Sequence, residues 1–512
     1  MAGNRLAHAT TVLLLAASAA AGSAQAPTLG QTQTVRIDWT KTLRTSTTTP
    51  TLQVVVNPKL KRGERVREVG YAALAKLRAD YVRFVPWFPY PQYGVAALKP
   101  PTKGRTSWDF SKIDPFVIDF LRASTGSNSY VNLSTIPAWM FKTAEPVEIP
   151  TDPDLPFFRY NQGTELVDPS AKQVGDYFAR IVSWYTKGGF TDELGRVHVS
   201  PHRYQLPLWE VLNEPDLEHN TSPVDYVTRY DAIVAAIRAV SPDTKFIGMS
   251  LARPDEHPEW FEHFLNPANH APGTPLDWIS YHFYAVPASG ETLDKWPYSF
   301  FSQADGFVNS VRFIEAIRKR LSPTTRTMVN ETGTILRRDL NEIFLGDKAD
   351  PRPPAAYWNL SGAVYAYVYA QLARLGIDVV GESQLVGYPT QFPSVTMVDW
   401  ETGEPNARFR VLELLREYCA PGDTIVADRD FATTLLDAPV ATFAYTRRRA
   451  RRILLINRRA ASVRVTIVGA AGGRLAVVDE DSAGGPIRRE PVSGDTLTLG
   501  GFAVGVVELP SE

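Results

Sequence analysis

The chain has 512 residues, of which 44% are hydrophobic and 21% are charged, and its formal net charge is -1. This length allows one large domain and a smaller one, and the composition is ordinary for a globular protein. The near-zero net charge excludes a global field that would attract nucleic acid or an anionic membrane, so we expect neither as a partner. The single cysteine, Cys419, excludes an internal disulfide bond.

The first 26 residues have the pattern of a secretory signal peptide. Arg5 supplies a positive charge, residues 12–17 form a short apolar core, and small residues follow. Cleavage after Ala24 is favoured, because cleavage after Ala26 would leave proline at the new N-terminus. The apolar run is too short to span a bilayer, and an uncleaved membrane anchor is the less favoured alternative. We therefore expect residues 1–26 to be a signal peptide and the protein to be secreted or periplasmic.

Strand-like and helix-like segments alternate over residues 51–422, which is typical of parallel βα units. Eight strands are predicted, at 52–56, 81–85, 130–134, 207–212, 245–249, 278–282, 327–331 and 377–381. The predicted helices between them include 67–78, 171–184, 223–240, 306–320 and 354–375. Eight such units predict an α/β fold, a (β/α)8 TIM barrel, whose active face is formed by the loops that follow the strands.

Long loops are predicted after the second, third and sixth strands, at 86–106, 135–166 and 285–302, and they are rich in proline or aromatic residues. Long irregular loops inside a compact domain are usually functional. We therefore expect Trp87, in the first loop, and Trp139, in the second, to contact the substrate.

Residues 423–512 show short alternating strands separated by glycine-rich turns, which predict an accessory C-terminal β-sandwich. Residues 27–50 form a separate N-terminal segment, and its part 34–39 is expected to add a strand to the sandwich. The basic run 447–452 lies between two predicted strands, so a solvated hairpin turn is favoured over a binding patch for acidic polysaccharide.

The segment Leu208–Asp216 is the most informative part of the chain, since it predicts a buried strand that ends in an Asn-Glu-Pro turn. The proline after Glu214 ends the strand and stiffens the backbone that aims this side chain. Glu331 ends another buried strand. A retaining glycosidase requires one acid/base carboxyl and one nucleophile, so we assign Glu214 as acid/base and Glu331 as nucleophile. For either glutamate taken alone, a salt bridge or a helix cap is the alternative.

Polar residues on neighbouring strands are expected to complete this site. Asn213 is placed to hydrogen-bond a substrate hydroxyl. His282 and Tyr284 share one face of a strand, where they would orient the acid/base and hydrogen-bond the nucleophile; a satisfied core histidine and tyrosine are the alternative. Arg83 is a charge inside an apolar strand, and keeping the nucleophile ionised is favoured over an outward salt bridge.

Two further glutamates stand near strand ends. Glu210 either shares the site or supports it, and Glu382 either contacts a substrate hydroxyl or is structural. The eight histidines show no metal-ligand spacing, and the sequence has no glycine-rich phosphate loop and no serine nucleophile elbow. Because two carboxyl groups supply all the proton and covalent chemistry, we expect no metal and no cofactor.

The stretch Trp209–Leu217, the Ser-Tyr-His-x-Tyr pattern at 280–284 and the strand-seven glutamate resemble clan A, the large clan of (β/α)8 retaining glycoside hydrolases. Within it the chain is most similar to glycoside hydrolase family 39, the β-xylosidase and α-L-iduronidase family. The resemblance spans nearly the whole mature chain, including a β-sandwich attached to the barrel. It implies an acid/base at Glu214, a nucleophile at Glu331, and contact between Asn213 and the 2-hydroxyl of the sugar. It also implies that the strand-six histidine and tyrosine lie at or beside the substrate.

The chain departs from family 39 in two places. Family members usually carry an Arg-x-His pattern on the second strand, where this chain has Arg83-Phe84-Val85, and residues 332–334 differ from the better-known xylosidases. These departures leave the catalytic pair intact and leave the sugar specificity open.

The sequence therefore predicts an exported retaining glycosidase acting on an oligo- or polysaccharide of plant or microbial origin. A transglycosylase with the same residues is a close alternative, in which a sugar rather than water intercepts the glycosyl-enzyme. A non-catalytic carbohydrate-binding barrel is the alternative from another class, although binding alone needs no nucleophile. The choice between exo and endo action, the sugar, its linkage and the oligomeric state stay open at this point.

Overall fold

The computed structural model describes residues 32–87, 89–132, 135–340, 352–389, 391–428, 438–482 and 484–510. The predicted signal peptide, residues 1–26, lies outside these ranges. Among the helices of the described ranges, none combines the length and the apolar character needed to cross a bilayer.

Eight parallel strands close into a barrel in chain order, with the last strand pairing with the first. The barrel strands are β3 (Thr49–Val55), β4 (Arg83–Val85), β5 (Tyr130–Val131), β8 (Leu208–Glu210), β9 (Lys245–Leu251), β10 (Trp278–Ala285), β11 (Arg326–Thr334) and β12 (Val379–Glu382). The predicted TIM barrel is confirmed, and each predicted strand overlaps an observed one. The end of the predicted third strand, at 133–134, lies outside the described residues.

The helices pack around this barrel and alternate with its strands. They are α1 (Arg65–Leu77), α2 (Pro91–Gly94), α3 (Asp114–Ala123), α4 (Lys172–Thr186), α5 (Pro223–Val240), α6 (Pro258–Phe264), α7 (Trp296–Leu321), α8 (Ala355–Leu375) and α9 (Ala407–Tyr418). A short antiparallel pair, β6 (Gly189–Thr191) and β7 (Val197–Val199), follows α4.

The predicted loop 285–302 is wrong over its last part, because α7 begins at Trp296 rather than at residue 306. Pro297 stands in the first turn of this helix, where a missing N–H costs nothing. Phe300, Phe301 and Ala304 then follow at helical spacing and are buried. Phe300 and Phe301, which suggested a loop, therefore belong to the buried face of a long helix, while Tyr298 is exposed on its other side.

The C-terminal part of the chain forms two sheets that share an apolar core, which confirms the predicted sandwich. Their strands are β1 (Thr32–Val35), β2 (Ile37–Thr45), β13 (Thr424–Asp428), β14 (Val440–Arg447), β15 (Ala450–Asn457), β16 (Val463–Ile467), β17 (Arg474–Val478), β18 (Arg488–Pro491), β19 (Thr496–Leu499) and β20 (Val504–Glu508). The seven-stranded sheet runs in the order β18-β17-β20-β15-β14-β13-β2, and the three-stranded sheet in the order β1-β16-β19.

The N-terminal segment adds strands to both sheets of the sandwich, since β1 pairs with β16 and β2 pairs with β13. The basic run at 447–452 forms the predicted hairpin between β14 and β15. Arg448 and Arg449 occupy its two turn positions, both with positive φ as a tight hairpin requires, and both are exposed. Arg447 and Arg452 on either side are held by Asp423 and Glu508.

Candidate active site

A cavity of about 670 Å³ opens at the C-terminal ends of the barrel strands. Its lining comes from the ends of β3, β4, β8, β9, β10, β11 and β12 and from the segments that follow them, and it includes both Glu214 and Glu331. The sandwich contributes no residue to this lining among the described parts of the chain. The cavity therefore lies on the face where TIM barrels carry their active sites.

The turn after β8 aims Glu214 into the cavity through an unusual backbone. Leu212 and Glu214 both have positive φ, 65° and 42°, a conformation that non-glycine residues rarely adopt. The Glu214 amide donates a hydrogen bond to the carbonyl of Ser250, at 3.0 Å, which ties the turn to the end of β9. Backbone strain of this kind is found at functional sites, where the surrounding structure enforces it.

His282 lies directly against the predicted acid/base. Its Nδ1 atom is 2.8 Å from Oε1 of Glu214, and its Nε2 atom is 3.0 Å from the hydroxyl of Ser250. Burial raises the pKa of Glu214, and the nearby charge of Glu331 raises it further, against the opposing effect of the histidine. Glu214, the predicted acid/base, therefore holds its proton more tightly than it would in water.

Glu331 has the opposite electrostatic environment. Burial disfavours its charged form, but His282 and Arg83 together with a hydrogen bond from Tyr284 lower its pKa below the usual value. The Tyr284 hydroxyl donates to Oε2 at 2.7 Å, the Arg83 guanidinium donates to Oε1, and the His282 Nδ1 atom lies 3.6 Å from Oε2. This carboxylate is therefore held ionised, as a nucleophile must be.

The two glutamates come close together although β9 and β10 separate their strands. One carboxylate oxygen of Glu214 lies within 4.8 Å of one of Glu331. Retaining glycosidases have carboxyl groups about 5–5.5 Å apart, whereas inverting enzymes need about 6.5–9.5 Å to fit a water molecule between them. The spacing is therefore of the kind that direct nucleophilic attack requires.

Arg83 is fully buried and connects the carboxylate of Glu331 to the side-chain amide of Asn213. Its Nη1 atom donates to Glu331 and to Oε1 of Gln53, at 2.7 Å for the latter, while Nη2 donates to Oδ1 of Asn213 at 2.8 Å. Such an arginine is tolerated inside a barrel only because carboxylates neutralise it. Arg83 therefore lies inside the barrel and against Glu331, which it helps to keep ionised.

Glu210 holds Arg83 in place and does not face the cavity. It accepts hydrogen bonds from Arg83, from the Ser280 hydroxyl at 2.7 Å, from Asn330 at 2.6 Å and from Asn132. Glu210 does not line the cavity. With all these donors on one carboxylate, its role is to neutralise and fix the arginine.

Glu218 is a functional candidate that the sequence did not reveal. Its Oε1 atom accepts a hydrogen bond from the Trp87 indole at 3.0 Å and another from the side-chain amide of Asn213 at 3.1 Å. Burial and the neighbouring charge of Glu214 raise the pKa of Glu218 to about 8. A neutral carboxyl group thus holds Trp87 and Asn213, two residues that are predicted to contact the substrate. In the sequence, the position of Glu218 four residues after Glu214 was the one indication of such a role.

The structure does not bring Trp139 and Glu382 into the cavity lining. The Trp139 indole donates a hydrogen bond of 2.7 Å to the carbonyl of Ala97 and packs against the apolar core. Glu382 is completely buried and accepts a hydrogen bond from Nε of Arg408 at 2.9 Å, so the structural alternative describes it. The strand end after β12 instead presents Ser383 and Gln384 to the cavity.

Glu214, His282 and Glu331 also offer atoms that could ligate a metal, within 4.8 Å of one another, and within the described ranges no other such group was found. However, the Arg83 guanidinium lies against Glu331 and would repel a divalent cation. The carboxylates and the imidazole are also already engaged with one another and with Tyr284. The arrangement therefore suits proton transfer better than metal binding.

Comparison with known proteins gives a family match for the sandwich and fold matches for nearly the whole chain. A family model described as "D-apionate lactonase, C-terminal immunoglobulin-like domain" matches residues 437–507 and none of the barrel. No curated protein matches this sequence.

Solved structures of glycoside hydrolases share the fold. A family 51 α-L-arabinofuranosidase, AbfB, from Bifidobacterium longum has a TM-score of 0.62 at 13% identity, covering 93% of this chain and 98% of that chain. A GH30 endoxylanase from Clostridium papyrosolvens C71 has a TM-score of 0.55 at 14% identity, with coverages of 94% and 100%. A GH39 β-xylosidase from Caulobacter crescentus has a TM-score of 0.54 at 13% identity, with coverages of 93% and 99%. At these identities the likeness shows a common fold, and membership of family 39 stays a prediction.

Proposed function

We propose that this protein is a retaining glycoside hydrolase, with Glu214 as acid/base and Glu331 as nucleophile. The observation that carries the proposal is the pair of carboxyl groups within 4.8 Å of one another at the barrel mouth. Their pKa values are shifted in opposite directions, which separates the acid from the nucleophile. The similar folds named as endoxylanase, α-L-arabinofuranosidase and β-xylosidase support a glycan substrate that contains pentose sugars.

The proposed reaction has two displacements. In the first, Glu331 attacks the anomeric carbon while Glu214 gives its proton to the glycosidic oxygen, so that the C–O bond breaks and a glycosyl-enzyme forms. In the second, Glu214 takes a proton from water, whose oxygen attacks the anomeric carbon and releases Glu331. Each step balances without a cofactor, and the sugar keeps its anomeric configuration.

The neighbouring residues support this sequence of steps. Arg83 and Tyr284 hold the charge of the nucleophile before attack and after release. His282 keeps the carboxyl group of Glu214 oriented towards the leaving oxygen through the 2.8 Å contact at Nδ1. Asn213 contributes its amide beside Glu214, where we place the 2-hydroxyl of the sugar. Trp87 offers an aromatic face on which a sugar ring can stack.

A lactonase is the second candidate, and the family-model match at residues 437–507 favours it. In this reaction the ionised Glu331 would take a proton from water, whose oxygen attacks the lactone carbonyl, and Glu214 would give its proton to the ring oxygen, which leaves as a hydroxyl. The residues of the same cavity would then hydrolyse the lactone of D-apionate or of a related sugar acid.

A transglycosylase remains the mechanistic variant of the first candidate. Export through residues 1–26 is part of the proposal.

The test is hydrolysis of a panel of aryl glycosides (xyloside, arabinosides, galactoside, glucoside and iduronide), with the lactone of D-apionate added. Wild type is compared with Glu331→Ala, in the presence and absence of azide. Glu256→Ala is the matched control, because Glu256 is a cavity-lining carboxylate exposed at the rim. We expect one sugar to be cleaved by wild type and by the control.

Azide should restore cleavage by Glu331→Ala and yield a glycosyl azide of inverted configuration, since azide replaces the missing nucleophile. A Glu331→Ala variant as active as wild type would contradict the catalytic assignment. Lactone hydrolysis without cleavage of any glycoside would favour the second candidate.

A further inference from the structure

The cavity has two parts of different chemical character. The polar part surrounds the two catalytic glutamates. The other part, which we call the annex, extends over the ends of β10 and β11 towards α7 and is lined by Phe283, Val286, Gly306, Phe307, Ile335 and Leu340. The rings of Phe283 and Phe307 stack with their centroids 4.5 Å apart and form one wall.

Polar side chains next to the annex are engaged with the protein backbone. The side-chain amide of Gln303 donates to the carbonyl of Val286 at 2.9 Å and accepts from its N–H at 3.0 Å. Arg337 is exposed at the rim and donates from Nε to the carbonyl of Pro287 at 3.0 Å. The walls of the annex therefore offer apolar surface, with few groups left to hydrogen-bond a ligand.

Gly306 lies in the lining of the annex on the α7 side and is exposed. This glycine lies within a regular helix, where glycine is less favourable than alanine, and its φ is not in the left-handed region. A Cβ atom at this position would meet nothing within 4 Å. The backbone does not require a glycine here, and a larger side chain at this position has open space to occupy.

We propose that the annex binds an apolar aglycone, so that the substrate is a glycoside with its sugar at the catalytic glutamates and an alkyl or aryl group in the annex. This inference rests on the proposed glycosidase function and names its substrate class. A second sugar ring in the annex would lose hydrogen bonds between its hydroxyl groups and water without finding partners. An apolar group gains from leaving water, by a factor of about four per methylene group. The aglycone leaves as an alcohol or phenol that carries the proton from Glu214.

The test compares phenyl and 4-propylphenyl glycosides of the sugar that the aryl panel selects, or of β-D-xylose if it selects none. The two phenols have similar acidity, so the difference between them reports contact with the propyl group. Hydrolysis is followed with the O-glycosides, and binding is measured by calorimetry with the 1-thioglycosides, whose sulfur linkage resists cleavage. Gly306→Leu fills the annex, and Ser310→Leu, one turn further along α7 and outside the cavity lining, is the matched control.

For wild type and Ser310→Leu we expect the propyl compound to bind at least tenfold more tightly and to be cleaved with a correspondingly higher kcat/KM. Gly306→Leu should lose this preference, because the leucine side chain competes with the propyl group for the annex. Equal binding of the two compounds by wild type, a preference that survives in Gly306→Leu, or no binding of either compound would overturn the inference. Hydrolysis without a propyl preference would support the glycosidase function and contradict the apolar aglycone site. A binding preference without hydrolysis would support the annex as a binding site and contradict the glycosidase function.

Discussion

The two ends of the barrel are built from the same strands and are filled with opposite kinds of side chain. At the N-terminal end, the strands contribute an apolar cluster, whose members are Tyr130, Leu208, Ile247, Trp278, Met328 and Val379. Only a few residues further along, the same strands surround Arg83 with carboxylates and amides. Burial of the apolar end favours folding directly, whereas buried charges cost free energy unless they neutralise one another. The charged C-terminal end of the barrel therefore depends for its stability on the buried apolar side chains at the N-terminal end.

Removing the nucleophile should have the largest effect on activity. We expect Glu331→Gln to lower kcat by about ten thousandfold or more on any glycoside that wild type cleaves, because the amide cannot form the glycosyl-enzyme. The measurement is steady-state kinetics on that glycoside, with circular dichroism to show that the variant is folded. A kcat within tenfold of wild type would remove Glu331 from the mechanism.

Replacing the buried arginine should damage both stability and activity, since it leaves two buried carboxylates without their counter-charge. We expect Arg83→Met to lower the free energy of unfolding by about 3–5 kcal/mol and to lower kcat/KM by orders of magnitude. Urea unfolding and kinetics on the folded fraction measure the two effects separately. An unchanged kcat/KM in folded Arg83→Met would show that the arginine is merely structural.

Shortening a side chain at the apolar end should affect stability alone. We expect Met328→Ala to lower the free energy of unfolding by about 2–5 kcal/mol, because it leaves a cavity in a closely packed layer. Its kcat/KM, measured well below the melting temperature, should equal that of wild type. A loss of activity comparable to that of Arg83→Met would mean that the two ends of the barrel are not functionally separate.

The catalytic pair should give a bell-shaped pH dependence that is broader than two ordinary carboxyl groups would give. The lowered pKa of Glu331 moves the acidic limb of kcat/KM below the usual carboxylate range, and the raised pKa of Glu214 moves the basic limb above it. Kinetics from pH 3 to pH 9 measure both limbs. Glu214→Gln should remove the basic limb, and its persistence in that variant would assign it to another group.

Glu218 should make the smallest contribution, through stability at alkaline pH. Its pKa is raised to about 8 in the folded state, so the stability it contributes is present below its unfolded pKa and is lost as pH rises through the folded value. We expect Glu218→Gln to be more stable than wild type at pH 8, by about 1–3 kcal/mol, with little difference near pH 4. Chemical unfolding at both pH values measures this.

Comparing two variants of Glu218 shows whether this residue positions its neighbours for activity or has only a structural role. Glu218→Gln keeps an acceptor for Trp87 and Asn213 and should hold kcat/KM near that of wild type, whereas Glu218→Ala should lose several-fold in kcat/KM. Equal activity of the two variants would show that the carboxyl group does not position these side chains.

Much of the candidate site could be predicted because the relevant signals are local. A buried strand that stops at an Asn-Glu-Pro turn identifies Glu214, and alternation along β10 places His282 and Tyr284 on one face of their strand. Other parts could not be predicted, since they depend on register. Between Tyr281 and His282 the pairing of β10 with β11 shifts by one residue, which sets His282 opposite Glu331. Nothing in the sequence of either strand signals that shift.

By itself the sequence determined the eight strands and the sandwich, because apolar periodicity and turn residues act over a few positions, and it predicted the two glutamates as the catalytic pair. Only the tertiary structure decided which polar residues meet. Closure of the barrel brings a carboxylate oxygen of Glu214 within 4.8 Å of one of Glu331. Glu382 instead accepts a hydrogen bond from Arg408, away from the cavity. The tertiary structure also recruits Glu218 through a 3-10 turn in which His219 has a positive φ. Such contacts join positions far apart in the chain or depend on irregular backbone, and local periodicity does not record them.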